Sequence, residues 1–280
     1  MLKPTPVMKT LSFVISLFLW RPLLFAQSSP VLMGAPAAGC AYASSCTRDE
    51  WALFNNVAGL ADVKNTTAAF TYNAVPSFKL FNRMAAAVAV PVRFGVAGVG
   101  VYRLGNDLYN EQLLTAGFSN TFGLASLGIR VNYVQYNAAG FGTKGAFSLS
   151  FGGIATLTPA LSVGAHIINL NQPVLSKADG ERLPTVVCAG IGLKVAPQTR
   201  ITTEVEKDLD YPLLWKTGLE YRFQKKVFFR TGFAFHPNAG FFGFGFKPKT
   251  LSIDYAFQYT GSRGAHHEAT VAYVFNRKQK

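Results

Sequence analysis

From about residue 65 onward, apolar residues alternate with small or polar ones at a period of two, the mark of strands with one apolar face. Ile253, Tyr255, Phe257 and Tyr259 alternate with Ser252, Asp254, Ala256 and Gln258. Thr217, Leu219, Tyr221 and Phe223 alternate with Lys216, Gly218, Glu220 and Arg222, and Phe242, Phe244 and Phe246 alternate with Gly243 and Gly245. Leu127, Ile129, Val131 and Tyr133 do the same with Gly128, Arg130 and Asn132. The pattern predicts about fourteen strands, near 65–75, 82–91, 94–103, 111–119, 123–135, 145–156, 160–169, 184–195, 199–207, 213–223, 226–236, 240–247, 250–259 and 266–275. Many run about ten residues, enough for a tilted strand to cross a bilayer.

The connections alternate in length. Tight turns fall near Pro91–Arg93, Thr158–Ala160, Ala196–Gln198, Gln224–Lys225 and Lys247–Lys249, and longer links near Val75–Asn82, Tyr136–Lys144, Asn171–Leu183, Asp208–Pro212 and Thr260–Ala265. With both termini periplasmic, all the short turns land on the periplasmic rim, as in an even-stranded membrane barrel. Ahead of the strands, Thr47 to Leu60 reads as the one helix of the mature chain: Thr47 with Glu50 fits a capping box and Gly59 a helix end.

Which face meets solvent follows from composition. The polar face is rich in Gly and Ala and sparse in charge; only 15% of all residues are charged, whereas 49% are hydrophobic and 14% aromatic. A water-exposed face would carry many more Lys and Glu. Bulky aromatics at strand ends fit a membrane girdle. The expected fold is therefore all-β, a transmembrane antiparallel β-barrel of about fourteen strands with a short N-terminal helix.

Residues 1–26 read as a secretory signal, with Lys3 and Lys9 before the apolar run Leu11–Leu19 and small Ala26 at the cleavage site. The chain then divides into this signal peptide (1–26), a lumen-associated N-terminal segment (27–64) and the barrel (65–276). The net charge of +13 is not gathered into a basic stripe interleaved with aromatics, so nucleic acid is not expected. Outer-membrane lipid and lipopolysaccharide suit exposed cations better. Cys40 and Cys46 are close enough in sequence for a small disulfide, with two unpaired thiols the equal alternative; Cys188 reads as a strand residue.

Inward-facing polar positions give a candidate lumen network of Arg130, His166, Glu204, Glu206, Lys216, Glu220, Arg222, Arg230, Asp254 and Glu268. Both signs fall on neighbouring late strands, so the first reading is an ion-pair network filling a narrow barrel, and the second a polar path for solute. No Gly-x-Ser-x-Gly elbow, His-Glu-x-x-His helix or phosphate loop occurs, so neither catalysis, cofactor nor metal is expected. His266–His267 reads as a solvated outer loop.

Residues 34–61 resemble the FadL/PorV-type outer-membrane proteins of Bacteroidota, whose mature N-terminus has a small-residue run and then a helix ending in Asn-Pro-Ala-Gly-Leu. The matching stretches are Gly34–Tyr42 and Leu53-Phe54-Asn55-Asn56-Val57-Ala58-Gly59-Leu60-Ala61, with Val57 in place of the Pro. Within it, Trp51, Phe54, Asn56, Gly59 and Leu60 are the candidate motif residues. The endings Ile253–Phe257 and Val271–Phe275 look similar too, although Asn-Arg-Lys-Gln-Lys follows Phe275. The resemblance implies a fourteen-stranded barrel with the N-terminal segment in or under the lumen. It also implies one of two functions. The first expectation is a PorV/PorQ-like accessory subunit of an outer-membrane complex, type IX secretion-like or barrel-assembly machinery, bound to another outer-membrane protein. The alternative is a FadL-like transporter of hydrophobic small molecules, with a pocket lined by Trp51, Leu53 and Phe54 and a strand kink at Gly152–Gly153 or at Gly95, Gly98 and Gly100. Apart from the resemblance, a purely structural membrane protein is a further reading.

Overall fold

The structure is a computed structural model that describes residues 31–176, 181–209, 211–261 and 264–275; the signal peptide expected at 1–26 lies outside the described residues. The strands are β1 Thr67–Ala74, β2 Arg83–Val92, β3 Gly95–Gly105, β4 Tyr109–Phe122, β5 Ala125–Ala138, β6 Gly142–Thr156, β7 Leu161–Ile168 and β8 Val174–Ser176. Then follow β9 Glu181–Arg182, β10 Val186–Ala196, β11 Thr199–Asp208, β12 Leu214–Phe223, β13 Val227–Phe235, β14 Ala239–Phe246, β15 Leu251–Thr260 and β16 Gly264–Val274. Fourteen of them close one antiparallel barrel; β8 and β9 form a separate hairpin inside the β7–β10 connection, so β7 pairs with β10, and β1 pairs with β16 to close the ring.

The period of two sorts the residues as a bilayer requires. Outward positions carry exposed apolar side chains such as Phe229, Phe242, Phe244, Ile253 and Tyr255, whereas inward positions such as Thr71, Ser119, Asn132, Ser148 and Asp254 are polar and buried. In water this arrangement would be inside out; in lipid the closed ladder pairs every strand edge and the apolar face needs no cover.

The ladders run without kinks through the expected sites. β5 and β6 pair continuously from Ala125↔Ala155 to Ala138↔Gly142, and β2 and β3 from Val92↔Gly95 to Arg83↔Leu104. The irregularity in the barrel wall falls instead between Lys194 and Ala196 of β10. β6 and β7 share the shortest ladder, from Thr156↔Ser162 to Phe151↔Ile167. Beyond it, the β6 edge is capped by the loop after β7: Leu170 N donates to Leu149 O (2.8 Å) and Asn171 Nδ2 to Phe147 O (3.0 Å).

The N-terminal segment differs from the expected helix. Its α-helix, α1, is the five-residue Ala35–Gly39, and residues 47–60 instead form two 3-10 turns, Glu50–Leu53 and Val57–Asp62. The capping residue is Asp49, not Thr47: its carboxylate accepts from Ala52 N at 3.1 Å. Asn56 caps the second turn through Ala58 N at 3.2 Å. Gly59 lies within that turn rather than ending a helix. A long helix is unnecessary here because the wall of the barrel supplies hydrogen-bond partners to this backbone.

Candidate functional site

The inner wall is built to let another chain lie against it. Glycines at inward positions on successive strands leave room for the N-terminal segment: a Cβ on Gly152 would stand 2.0 Å from Asn56 Oδ1, one on Gly218 2.5 Å from Cys40 Cβ, and one on Gly232 2.6 Å from Ala41 N. Gly98 and Gly100, read from sequence as strand interruptions, face Leu53, Leu60 and Phe54. The small-residue face of the sequence is thus the track of the plug.

Charge then fixes the plug in place. Glu268 accepts from Gly34 N (2.7 Å), Tyr42 Oη, Thr71 Oγ1 (3.0 Å) and Asn73 Nδ2 (3.1 Å). Glu204 Oε2 accepts from Ser44 N (2.9 Å), Ser45 N and Ser45 Oγ (both 2.6 Å), and its other oxygen holds Lys216 Nζ at 3.2 Å. Arg130 Nη1 donates to Leu53 O at 2.7 Å, and Arg200 Nη2 to Cys46 O. Asn56 Nδ2 donates to Ser45 O (2.6 Å) and Gly153 O (3.2 Å), tying the plug to itself and to β6.

The predicted network residues divide accordingly. Lys216 bridges Glu204 and Glu206; Arg230 bridges Glu220 and Asp254, each at 2.7 Å. Cys188 Sγ and the carboxylate oxygens of Glu204 and Glu206 lie within 4.8 Å of one another, and Lys216 is the cation these two carboxylates hold. Arg130 and Glu268 serve the plug rather than a partner of opposite charge. His166 is buried, and neither ring nitrogen has a hydrogen-bond partner among the described residues. Arg222 shares the inward face but is exposed beyond the plug, where its Nη2 donates to Pro197 O at 3.0 Å, so it lies outside the network. Tyr42, Ser45 and Arg200 were not legible as members; they gain their roles from where the plug crosses the wall.

Of the motif residues, Trp51 and Leu60 are fully buried in the apolar core with Leu53, Phe54 and Val57. Cys40 and Cys46 are free thiols of the plug that meet different parts of the wall, Cys40 at Gly218 and Cys46 at Gly164 and Gly192. Burial pushes the Cys40 thiol up to about 12 and the Cys46 thiol up to about 11, which removes nucleophilic character from both.

A cavity of about 40 Å³ lies against the plug among the described residues. Phe54 and Arg130 form its floor. Tyr102 of β3, Leu113 of β4, and Asn132 and Val134 of β5 form its wall, and Ile168, Asn169, Leu183 and Pro184 close it from the β7–β10 connection. The expected pocket trio is therefore split: Phe54 meets the cavity, whereas Trp51 and Leu53 are packed beneath it.

No protein-family model and no curated protein matches the chain. Solved structures do. The toluene transporter TbuX of Ralstonia pickettii superimposes with a TM-score of 0.69 at 13% identity, over 89% of this chain and 100% of that one. The CymD monoaromatic hydrocarbon channel gives 0.66 at 12% identity, over 90% and 100%. A FadL homologue of Pseudomonas aeruginosa gives 0.63 at 12% identity, over 89% and 100%. At these identities the likeness is one of fold. Two of these neighbours, a toluene transporter and a hydrocarbon channel by name, correct the first functional expectation, the accessory subunit of a type IX secretion-like or barrel-assembly complex.

Proposed function

We propose that this chain is an outer-membrane channel that admits small apolar molecules from the outer face into the pocket above Phe54. The observation that carries the reading is the pocket itself, lined by Phe54, Leu113, Val134, Ile168 and Leu183. A small, mostly apolar recess with a few polar groups is the usual form of a small-molecule site. The names of the neighbouring structures, a toluene transporter and a monoaromatic hydrocarbon channel, support the same class of solute. Arg130 adds a polar floor: no carboxylate pairs with it among the described residues, and its Nε has no partner there. Ile168 and Asn169 line the pocket where the short β6–β7 ladder ends and the loop after β7 takes over the pairing of the β6 edge.

The test is uptake of labelled toluene by cells with an intact lipopolysaccharide outer membrane, with and without this barrel. The wild type is expected to raise the initial rate. Val134→Trp fills the pocket and is expected to return the rate to background while the barrel still migrates as a folded band in unheated gels. Uptake unchanged by the presence of the barrel would sink the transporter reading.

A further inference from the structure

The basic residues of the periplasmic rim gather on one side, with Arg93 of the β2–β3 turn standing apart from them. The turns β10–β11, β12–β13 and β14–β15 present exposed Lys194, Arg222, Lys225, Lys226, Lys247 and Lys249, and no Asp or Glu occurs in 194–200, 222–228 or 246–251. The turns β4–β5 and β6–β7, at 123–124 and 157–160, carry no charged residue at all. The three basic turns form one continuous edge: Arg222 N donates to Gln198 O (2.8 Å), Arg222 Nη2 to Pro197 O (3.0 Å), and Lys247 N to Lys226 O (2.7 Å). Asp49 and Glu50 of the plug act on Lys247, and Glu220 of β12 is held by Arg230.

Two further features bear on what the edge meets. Gln224 and Lys225 have φ of 47° and 62°, a left-handed pair that Asn-Gly would adopt with less strain. Strain of this kind persists where the side chain serves something other than the turn. Immediately toward the bilayer lie the outward aromatics Phe223, Phe229, Phe244 and Phe246, all more than 40% exposed, with Phe229 and Phe244 paired at 5.6 Å between ring centroids. Aromatics at the interface with lysines just beyond them place those lysines at headgroup depth.

We propose that this basic arc binds anionic phospholipid headgroups of the periplasmic leaflet, the aromatic belt seating the acyl chains and Lys225, Lys226, Lys247 and Lys249 meeting the phosphates. The exposed aromatics Phe223, Phe229, Phe244 and Phe246 border these turns directly, which favours a lipid over a periplasmic protein. The inference goes beyond the transport reading and stands without it.

The experiment uses the mature barrel in phosphatidylcholine vesicles, with spin-labelled phosphatidylglycerol compared with spin-labelled phosphatidylcholine in the motionally restricted shell. A several-fold preference for phosphatidylglycerol is expected, reduced by high salt. It should fall to parity in the combined Lys225→Gln, Lys226→Gln, Lys247→Gln, Lys249→Gln variant, whose changes are confined to exposed turns. An outer-rim control, Lys79→Gln with Lys144→Gln, should retain it. Parity in the wild type, or a preference that survives the four changes, overturns the proposal. So does parity accompanied by capture of an acidic periplasmic protein that the fourfold variant releases, which would assign the edge to a protein partner.

Discussion

The carbonyl oxygen of Ser45 lies 2.0 Å from the point where a Cβ on Gly164 would stand. No side chain fits there unless the plug retreats, because the obstacle is backbone that Glu204 holds through Ser45 N and Ser45 Oγ. Gly164→Ala is therefore expected to unseat residues 44–46 while leaving the β7–β10 ladder intact. Limited proteolysis of the folded barrel should then cut in the plug, and small-ion conductance should rise. Gly240→Ala, with nothing within 4 Å of its Cβ, is the matched control and should change neither. A wild-type proteolysis pattern in Gly164→Ala would show that the wall yields instead.

The same glycines show how far the sequence could be read. Strands such as β15, with Ile253, Tyr255 and Phe257 outward, are legible because lipid imposes strict alternation on one face. The inner face obeys a second rule, close approach of another segment, and a glycine required for contact looks the same in sequence as one that bends a strand. Gly152 was read as a kink for that reason, although its role is to admit Asn56. Thr47 and Glu50 read as an α-helical start because local signals assume a solvated helix; inside the lumen Asp49 and Asn56 cap short 3-10 turns, and Arg130 takes the Leu53 carbonyl. Arg222 had the right parity for the network and the wrong height, and height depends on where the plug stops.

Arg230 joins Glu220 on β12 to Asp254 on β15, with Ser252 Oγ donating to Asp254 at 2.7 Å. Removing the cation alone leaves two carboxylates facing each other in the lumen. Arg230→Met is expected to cost about 3–5 kcal/mol, measured by urea unfolding of the vesicle-bound barrel, as is usual when one partner of a buried ion pair is lost. The triple variant Glu220→Gln, Arg230→Met, Asp254→Asn should recover most of that loss, since no charge is stranded. A triple variant as unstable as the single one would mean that Arg230 matters for its packing, the stem against Gly39 and Gly243 and the guanidinium over the Phe228 ring.

Asp49 gives the plug a pH dependence. Burial, reinforced by the charge of Glu50 and opposed by Lys247, pushes its carboxyl from 3.8 up to about 7. Its folded value lies above its unfolded value, so the seated plug holds the proton more tightly than the released one. The stability this supplies is present at low pH and is lost as pH rises from 3.8 through about 7. Hydrogen exchange of residues 44–60, read as the ratio of wild type to Asp49→Asn at each pH, cancels the intrinsic pH effect on exchange. The ratio is expected to grow between pH 5 and pH 8, with the wild type exchanging faster at the upper end. A flat ratio would mean that Asp49 is ionised throughout the range.

Phe54 sets the floor of the pocket, and its ring stands 6.1 Å from that of Trp51 beneath it. Truncation to Ala removes the surface that limits depth, so the pocket should accept a longer solute. The same truncation removes a buried ring from the core, a change that costs about 3–5 kcal/mol in a well-packed interior. Depth and plug stability are therefore coupled through one side chain, and two variants separate them. Phe54→Leu keeps most of the packing with a modest gain in depth, whereas Phe54→Ala gains more depth at the expense of plug seating. If Phe54 limits solute size, cellular uptake of naphthalene relative to toluene should rise in the order wild type, Phe54→Leu, Phe54→Ala. Passage through a loosened plug predicts something different: both solutes would rise together, and small hydrophilic ions would leak in step with them. A constant naphthalene-to-toluene ratio with a plug that stays protease-resistant would place the size limit higher in the pocket, at Leu113 and Leu183.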